Sequence, residues 1–311
     1  MNATPKTRYK TINWSEYNTS LKSRGRIDIW FSKDLNWIAP PQGKHGRNQI
    51  YSDTAIQCCL MLKVMFQLPL RQVTGFVESL MKMAELSWPV PDYSTLSRRQ
   101  KTIDIKIPYQ KSQHGLHFLV DSTGIKILGE SEWKRKKYKP EYRRQWCKIH
   151  IGIDAETLQI RAVEVTANHV GDAEVLPNLL DQIPASEKIE AVYGDDAYDT
   201  KQCYQSITER GAEPIIPPRV NACIWKSFQP YAHARNQVVI LIQQVGLVVW
   251  KKWSGYHRRS LVETKMLCIK RLGERLMSRD LDRQINEVYS RVAVLNIFTA
   301  LGRPITIQVA P

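Results

Sequence analysis

The sequence has few cysteines, and none is spaced for a metal site or a redox motif. The six cysteines form no Cys-x-x-Cys pair and show no zinc spacing, and Cys58 and Cys59 stand side by side in an apolar helical run. Thiols in such a place behave as small hydrophobic side chains. We therefore expect all six to be reduced, as in a protein of the cytosol.

Long apolar runs are also missing. The first residues lack the apolar core of a signal peptide. The best candidate for a membrane span, residues 238–250, is short and is broken by Gln243, Gln244 and Gly246. A Walker-A loop and a dinucleotide-binding fingerprint are absent as well, which argues against other nucleotide chemistry. These absences predict a cytoplasmic protein with no membrane partner.

Acidic residues are scarce relative to basic ones. The 311 residues include 45 Lys and Arg against 30 Asp and Glu, which gives a formal net charge of +15. A surplus of this size favours a polyanionic partner, because neutralised phosphates release their counterions. With 43% hydrophobic residues, the chain can bury the core of one large domain and a smaller one.

The first third of the chain is predicted to be an arm followed by a helical unit. Residues 1–50 are polar and rich in turn formers, and 51–107 show helical spacing for three short helices, with Asp53 and Ser94 as caps of the first and third. Such helices, ending in a basic one, resemble a DNA-binding helix-turn-helix unit, whose last helix enters the major groove. A helical bundle that only braces the catalytic domain is the alternative. The third helix would offer DNA the cations Arg98, Arg99 and Lys101.

Residues 112–277 are predicted to form a mixed α/β domain. Strands and helices follow in the order β-β-β-α-β-α-β, and then come an insertion at 217–255 and a further helix. The insertion contains three tryptophans, and we expect it to pack on the domain, with basic residues that suit contact with DNA. An amphipathic helix within 278–311 is expected to pack on the same domain.

Three carboxylates stand at informative places in this domain. Asp121 lies inside the apolar run 117–127, and Asp195 follows the short strand 188–193 at a Gly-Asp-Asp turn, while Glu263 falls on a predicted helix. Each aspartate therefore belongs in or just after a strand. Carboxylates that converge suit hard divalent cations such as Mg²⁺, and they suit two-metal phosphoryl transfer.

The helix that carries Glu263 is predicted to run from Tyr256 to Lys270. At about 100° per residue, Tyr256, Arg259, Glu263 and Lys270 fall on one stripe of the helix. Charged side chains on such a stripe make poor core material unless they are paired or bind a metal. The alternative is a solvated face with an ion pair between Arg259 and Glu263.

These motifs together resemble the bacterial insertion-sequence transposases of the DDE class. The four stripe residues have the spacing of that family's glutamate signature. The stretches Asp-Ser-Thr-Gly from Asp121 and Asp-Asp-Ala-Tyr-Asp-Thr from Asp195 look like its two aspartate regions. The group that the chain resembles most is the insertion sequence five family, and the resemblance covers nearly the whole chain. It implies a ribonuclease H-like catalytic domain.

The resemblance also implies a reaction and its catalytic residues. Such an enzyme binds the terminal inverted repeats of its element as double-stranded DNA, cleaves there and joins the 3′-hydroxyl ends to target DNA. Asp121, Asp195 and Glu263 would be the catalytic ligands of two Mg²⁺ ions, for which Mn²⁺ can substitute. Enzymes of this class act as homodimers or larger assemblies on paired ends.

Two stretches depart from the family's usual pattern. The family's Asp-Gly-Ala-Tyr-Asp reads Asp-Asp-Ala-Tyr-Asp here, so Asp196 stands beside Asp195; the alignment favours Asp195 as the ligand, but chemistry alone leaves Asp196 open. Asp199 is predicted to cap the helix that follows. Leu267 and Cys268 replace a common Tyr and Arg, which affects local DNA contacts and leaves the metal site unchanged.

DNA contacts are predicted in two more places. By resemblance, Tyr256, Arg259 and Lys270 would hold phosphate oxygens of the inverted repeat, with a structural ion pair as the alternative for Arg259. A loop at 133–144 carries seven cations and one carboxylate with aromatic residues between them, which suits the DNA backbone; a solvated hairpin is the alternative. The loop's candidate cations are Lys134, Arg135, Lys136, Lys137, Arg143 and Arg144.

Three other functions compete with transposition. A tyrosine recombinase with Tyr256 as nucleophile would leave the three carboxylates without a role. An inactive or domesticated sequence-specific DNA-binding protein would not need all three carboxylates, which are present. A stand-alone nuclease of the same fold would cut DNA without joining it, and no residue distinguishes this third function from transposition.

Overall fold

A computed structural model of the chain describes residues 8–30, 35–41, 43, 48–128 and 146–309. The basic loop predicted at 133–144 lies outside the described residues, together with all six of its candidate DNA-contacting cations. The predictions made for those cations therefore stay predictions.

The first part of the chain is helical, as predicted. After a short strand and one helix, three helices pack around a core that includes Leu60, Val77 and Leu96. The elements in chain order are β1 (Arg8–Thr11), α1 (Trp14–Arg24), α2 (Asp53–Met65), α3 (Leu70–Met83) and α4 (Tyr93–Thr102).

The caps of α2 and α4 differ from the predicted ones. Helix α2 is capped by Ser52, whose hydroxyl accepts a hydrogen bond from a backbone N–H three residues on at 3.0 Å. Helix α4 is capped by Asp92, whose carboxylate accepts from the backbone N–H of Ser94 at 3.0 Å. The predictions of Asp53 and Ser94 as caps were therefore wrong by one and two residues, because serine and aspartate suit that position equally well.

The second part of the chain is a mixed sheet with helices on both faces. The sheet has the order β4-β3-β2-β5-β6, in which β3 runs antiparallel to both neighbours and β2, β5 and β6 run parallel to one another. This order confirms the predicted ribonuclease H-like α/β fold. Its elements are β2 (Leu116–Ile127), β3 (Trp146–Asp154), β4 (Ile160–Ala167), α5 (Asp172–Asp181), β5 (Ile189–Tyr193), α6 (Lys201–Glu209) and β6 (Glu213–Ile215).

The remaining elements close the second face of the sheet. Helices α5 and α6 cover one face, and the other face packs against Val262, Ile269 and Val292 of the later helices. The single helix predicted from residue 256 to 270 is instead a 3₁₀ turn, Tyr256–Arg259, followed by an α-helix. The later elements are α7 (Pro230–Val245), α8 (Leu247–Trp253), α9 (Ser260–Arg271), β7 (Arg275–Leu276), α10 (Leu281–Leu301) and β8 (Thr306–Val309).

The insertion is attached to the domain through Asp199. This side chain was predicted to cap α6, but Thr200 is the cap and accepts a hydrogen bond from a backbone N–H at 3.3 Å. Asp199 is buried and accepts two hydrogen bonds at 3.1 Å from Arg235 of α7, whose guanidinium lies over the ring of Trp225 at 4.5 Å. The insertion therefore packs on the domain through a buried ion pair.

Helix α10 belongs to both cores. Ala293 and Val294 lie in the core of the helical unit, while Val288 and Val292 lie in the core under the sheet. The predicted contact of this helix with the α/β domain is thus only half of its packing. Strand β8 continues from α10 to pair antiparallel with β1. Within the described ranges, no helix has the length and apolar character needed to cross a membrane.

Candidate active site

Asp121, in the middle of β2, and Asp195, just after the end of β5, are brought together by the pairing of these two parallel strands. In the register of this pair, Leu119 of β2 lies opposite Tyr193 of β5. Asp121 follows Leu119 by two residues, and Asp195 follows Tyr193 by two residues. Since side chains two residues apart on a strand point to the same face, the register brings the two carboxylates together although 73 residues of chain separate them.

Asp195 is held by the turn that follows it. Its Oδ1 accepts a hydrogen bond from the backbone N–H of Ala197 at 3.0 Å. A Cβ atom on Gly194 would lie 2.8 Å from the ring of Tyr198, so only glycine leaves room for that buried ring. Asp196 is exposed, and its carboxylate makes no hydrogen bond within the described ranges. The geometry favours Asp195 over Asp196 as a ligand.

Glu263 approaches from helix α9. Gly255 has a φ of 67° in the left-handed region, which lets the chain turn between α8 and the 3₁₀ turn. Val262 and Ile269 are fully buried against the sheet, and this packing leaves the neighbouring Glu263 side chain 59% exposed in the first turn of α9. A carboxylate there interacts favourably with the positive end of the helix dipole.

The guanidinium group of Arg259 connects all three carboxylates. Its Nη2 lies 2.7 Å from Asp121 Oδ2 and 3.2 Å from Asp195 Oδ2, and its Nη1 lies 3.0 Å from Glu263 Oε1. One planar cation thus stands between the aspartate pair and the glutamate. Over the described ranges, no three carboxylate, His or Cys side chains lie close enough together to hold a metal ion.

The charges of the site depend on this contact. Burial raises the pKa of Asp121 and of Asp195, and the positive charge of Arg259 offsets part of both shifts. Burial lowers the pKa of Arg259, but the attraction to Asp121 and the other anions outweighs it, so the pKa of Arg259 lies above its ordinary value. The positive charge of Arg259 therefore favours the ionised form of both carboxyl groups.

A fourth carboxylate, not singled out from the sequence, lies beside the site. Asp172, at the start of α5, accepts hydrogen bonds from Ser122 Oγ at 2.8 Å and from Lys148 Nζ at 3.0 Å. Burial is the main cause that raises the pKa of Asp195, and the negative charge of Asp172 raises it further. Ser122 and Lys148 reach it because β2 and β3 pair in their observed register, and that register is not readable from the residues alone.

Two buried polar groups complete this neighbourhood. Tyr198 Oη and His150 Nδ1 have no hydrogen-bond partner within the described ranges. Burial lowers the pKa of His150 to about 4, so the imidazole is neutral at pH 7. Burial and the charges of Asp172 and Asp121 raise the pKa of Tyr198. The Tyr198 hydroxyl therefore stays protonated and is a hydrogen-bond donor without a partner in the described part of the chain.

Of the other predicted DNA-contacting residues of the stripe, Tyr256 lies near Arg259, whose positive charge offsets part of the rise that burial causes in the pKa of Tyr256. The Tyr256 ring centroid lies 5.8 Å from that of Trp250, and Lys251 lies over the Tyr256 ring at 5.1 Å. Lys270 lies near the end of α9 and lines a cleft together with Lys126. Tyr256 and Arg259 thus share the 3₁₀ turn, three residues apart, while Lys270 lies near the far end of α9.

Two of the three cations predicted to contact DNA from α4 lie beside carboxylates. Arg99 contacts Asp53 and donates to the backbone oxygen of residue 51 at 3.1 Å, and Lys101 Nζ lies 3.4 Å from Asp280. Arg98 is exposed, and it makes no ion pair within the described ranges. The DNA contacts predicted for Arg98, Arg99 and Lys101 stay predictions.

The chain is similar to family models and to part of a curated protein. A model described as a transposase DDE domain matches residues 112–297, which include Asp121, Asp195 and Glu263, and another with the same description matches residues 22–130. A Burkholderia cepacia protein named as a transposase for insertion sequence element IS402 is 31% identical over 104 residues, which cover 30% of this chain and 49% of that protein. The chain thus spans about half the length of the curated relative that it matches.

Proposed function

Since the chain belongs to the family of DDE transposases, we propose that it moves an insertion-sequence element by cutting DNA at the terminal inverted repeats and joining the 3′-hydroxyl ends to target DNA. The observation that carries this proposal is the convergence of Asp121, Asp195 and Glu263 on one guanidinium cation. Membership of the insertion sequence five group stays a prediction.

Divalent cations suit the carboxylates of this site. Asp121 Oδ2 and Asp195 Oδ2 already share one positively charged group, and carboxylate oxygens are the ligands that Mg²⁺ prefers. Two Mg²⁺ ions, or Mn²⁺ in their place, would be held by these aspartates together with Glu263. Such ions supply activation of the attacking oxygen and stabilisation of the leaving oxygen.

Arg259 has two successive roles in this proposal. Without metal it keeps Asp121 and Asp195 from repelling each other, since its Nη2 contacts both. The Arg259 guanidinium would be free of these carboxylates wherever they held a divalent cation instead. A freed arginine forms strong paired hydrogen bonds with phosphate oxygens, so Arg259 would then hold the DNA backbone beside the carboxylates.

We expect Arg259→Gln to bind Mn²⁺ about tenfold more tightly than the wild type when DNA is absent, a difference of about 1.4 kcal/mol. The reason is that the substitution removes the cation that competes with the metal for Asp121 and Asp195. Isothermal titration calorimetry measures both affinities. Arg258→Gln is the matched control, because Arg258 is exposed, carries the same charge and makes no ion pair with the carboxylates over the described ranges. Equal Mn²⁺ affinity in all three proteins would contradict the competition.

The function itself is tested with the wild-type protein and a labelled duplex that carries the inverted repeats flanking the coding sequence. With Mg²⁺ we expect cleavage at the repeat end and then joined products on a second duplex, and EDTA should abolish both steps because the carboxylates then lack their metal. A duplex with scrambled repeats is the control.

Each alternative function predicts a different result in this assay. Binding of the repeats with no cleavage in Mg²⁺ or Mn²⁺ would favour an inactive DNA-binding protein, and cleavage without joining would favour a stand-alone nuclease. Because joining acts on two ends of the element, we propose that the active form is a homodimer or a larger assembly on DNA.

A further inference from the structure

A cleft between the helical unit and the chain before α10 is lined by arginines that the proposed site does not use. It is a cavity of about 720 Å³ bordered by Arg71, Arg98 and Arg279. Arg71 lies over the ring of Tyr93 at 4.4 Å, and all three arginines are exposed. None of the three forms an ion pair within the described ranges, so their charges are free for a ligand.

The cleft continues towards the helix that carries Glu263. A second cavity, of about 410 Å³, shares Lys63 and Leu128 with the first. A third, of about 470 Å³, shares Gln67 and Gly273 with the second. We call these three adjoining cavities the basic groove. Its cations without an ion pair in the described ranges are Arg71, Arg98, Arg279, Arg275, Lys126, Lys270 and Arg271.

The acidic residues of the groove do not balance these seven cations. Asp280 is paired with Lys101, and Glu287 is paired with Lys63. Glu274 is the one carboxylate of the groove that has no ion pair within the described ranges. Cations that share a groove repel one another unless a polyanion neutralises them, and their field attracts such a ligand.

The far end of the groove lies on the catalytic helix. Lys270 borders the third cavity and follows Glu263 by seven residues on α9, a rise of about 10 Å at 1.5 Å per residue. One strand of duplex DNA carries a phosphate for about every 3.4 Å of helix axis, so a duplex aligned with α9 presents about three phosphates over that distance. A backbone that leaves the groove at Lys270 therefore reaches the carboxylates within a few nucleotides.

We propose that the basic groove holds one phosphate backbone of duplex DNA between α4 and α9 and so leads the strand to the three carboxylates. The inference rests on the proposed function, because the groove ends at Lys270, on the helix that carries Glu263 of the DDE domain. Arginine forks and the hydroxyls of Ser94 and Ser97, which line the first cavity, suit phosphate oxygens and read no sequence.

The test compares two triple variants that lose the same charge. Arg71, Arg98 and Arg279 are changed to alanine in the groove variant, and the control variant changes three exposed lysines outside the groove, Lys22, Lys82 and Lys201, to alanine. Fluorescence anisotropy follows binding of a labelled DNA duplex in EDTA at several NaCl concentrations. For the groove variant we expect the slope of log K against log salt to fall by about 2 to 3 and the affinity to drop at least about tenfold. The control variant should keep the wild-type slope.

Three outcomes would contradict the proposal that the basic groove binds DNA. Equal losses in both variants would mean that only net charge matters, and tighter binding of an RNA duplex with the same groove dependence would remove the assignment to DNA. The assay contains no metal, so it is independent of catalysis. If the wild-type protein cleaves DNA but the groove variant binds DNA with unchanged affinity, the groove is refuted and the proposed function is not. If the groove variant loses affinity but the wild-type protein never cleaves DNA, the proposed function is refuted and the groove is not.

Discussion

Asp195→Asn is expected to lower the rate of Mg²⁺-dependent strand cleavage at least about 10³-fold, since a bound metal contributes several kcal/mol to the transition state and about 1.4 kcal/mol is a factor of ten. Asp196→Asn, the matched control, is expected to keep the rate within about threefold, as exposed substitutions usually cost under about 0.5 kcal/mol. The two substitutions remove the same charge from neighbouring residues.

The structure gives the reason for this difference. Asp195 Oδ2 lies 3.2 Å from the guanidinium that also contacts Asp121, whereas Asp196 is exposed and makes no side-chain hydrogen bond in the described part of the chain. Asparagine has the size of aspartate, and its amide oxygen can still accept the hydrogen bond from Ala197 N–H. The substitution therefore removes a metal ligand and leaves the turn in place.

Single-turnover cleavage of a pre-bound duplex measures the chemical step. Glu263→Gln is expected to behave like Asp195→Asn, and both variants should bind the duplex as the wild type does in an anisotropy titration. A larger loss in Asp196→Asn than in Asp195→Asn would place the ligand on Asp196. Cleavage that survives Glu263→Gln would refute the metal assignment on α9.

The strands of the α/β domain were predictable because their apolar residues recur in a local sequence pattern. Cys147, Ile149, Ile151 and Ile153 alternate with polar residues, and β3 has the predicted bounds, Trp146–Asp154. An aspartate inside an apolar strand is also a local signal, and it identified Asp121. Features set by neighbours in sequence were thus accessible before the fold was known.

The contacts of Arg259 were not accessible in this way. Its pair with Glu263 spans four residues and follows from helical spacing, but its contacts with Asp121 and Asp195 span 138 and 64 residues. Those depend on the strand register and on how α9 packs on the sheet. For the same reason Asp172 was missed, since its partners lie on other elements.

The packing partners of helix α10 could not be predicted from the sequence either. Its periodicity predicts an apolar face but not which neighbours cover that face. The structure buries polar residues as well, including Glu287 and Arg291, because α10 lies between the helical unit and the sheet. A charge pattern that looks like a solvated face in the sequence is here a buried network.

Glu287→Gln is therefore expected to lower the free energy of unfolding by about 3 to 5 kcal/mol, the usual cost of leaving buried charges unpaired. Glu287 lies 3.2 Å from Lys63 of α2 and 3.1 Å from Arg291 of α10, and the three side chains are at most 4% exposed. Glu287 also accepts a hydrogen bond from the backbone N–H of Met277 at 3.0 Å. Glutamine keeps the shape but leaves two buried cations without an anion.

The pH dependence of this loss identifies its cause. Burial raises the pKa of Glu287, yet the positive charge of Lys63 and the hydrogen bonds from residues 277 and 278 outweigh burial, so the pKa lies below its ordinary value of 4.5. A carboxyl whose pKa is lowered by folding stabilises the protein fully above its unfolded pKa, and this contribution disappears as the pH falls through the folded pKa. The stability difference between wild type and Glu287→Gln should therefore be constant above about pH 4.5 and shrink below it.

Urea unfolding at a series of pH values measures this difference. Asp282→Asn is the matched control on the same helix, since its side chain is 55% exposed, and we expect it to change the free energy of unfolding by less than about 0.5 kcal/mol. If both substitutions cost the same, or if the Glu287 difference persists unchanged into acid, the loss does not come from the buried charges. A loss confined to Glu287→Gln that fades in acid would show that these ion pairs hold α2 and α10 together, and with them the helical unit and the α/β domain.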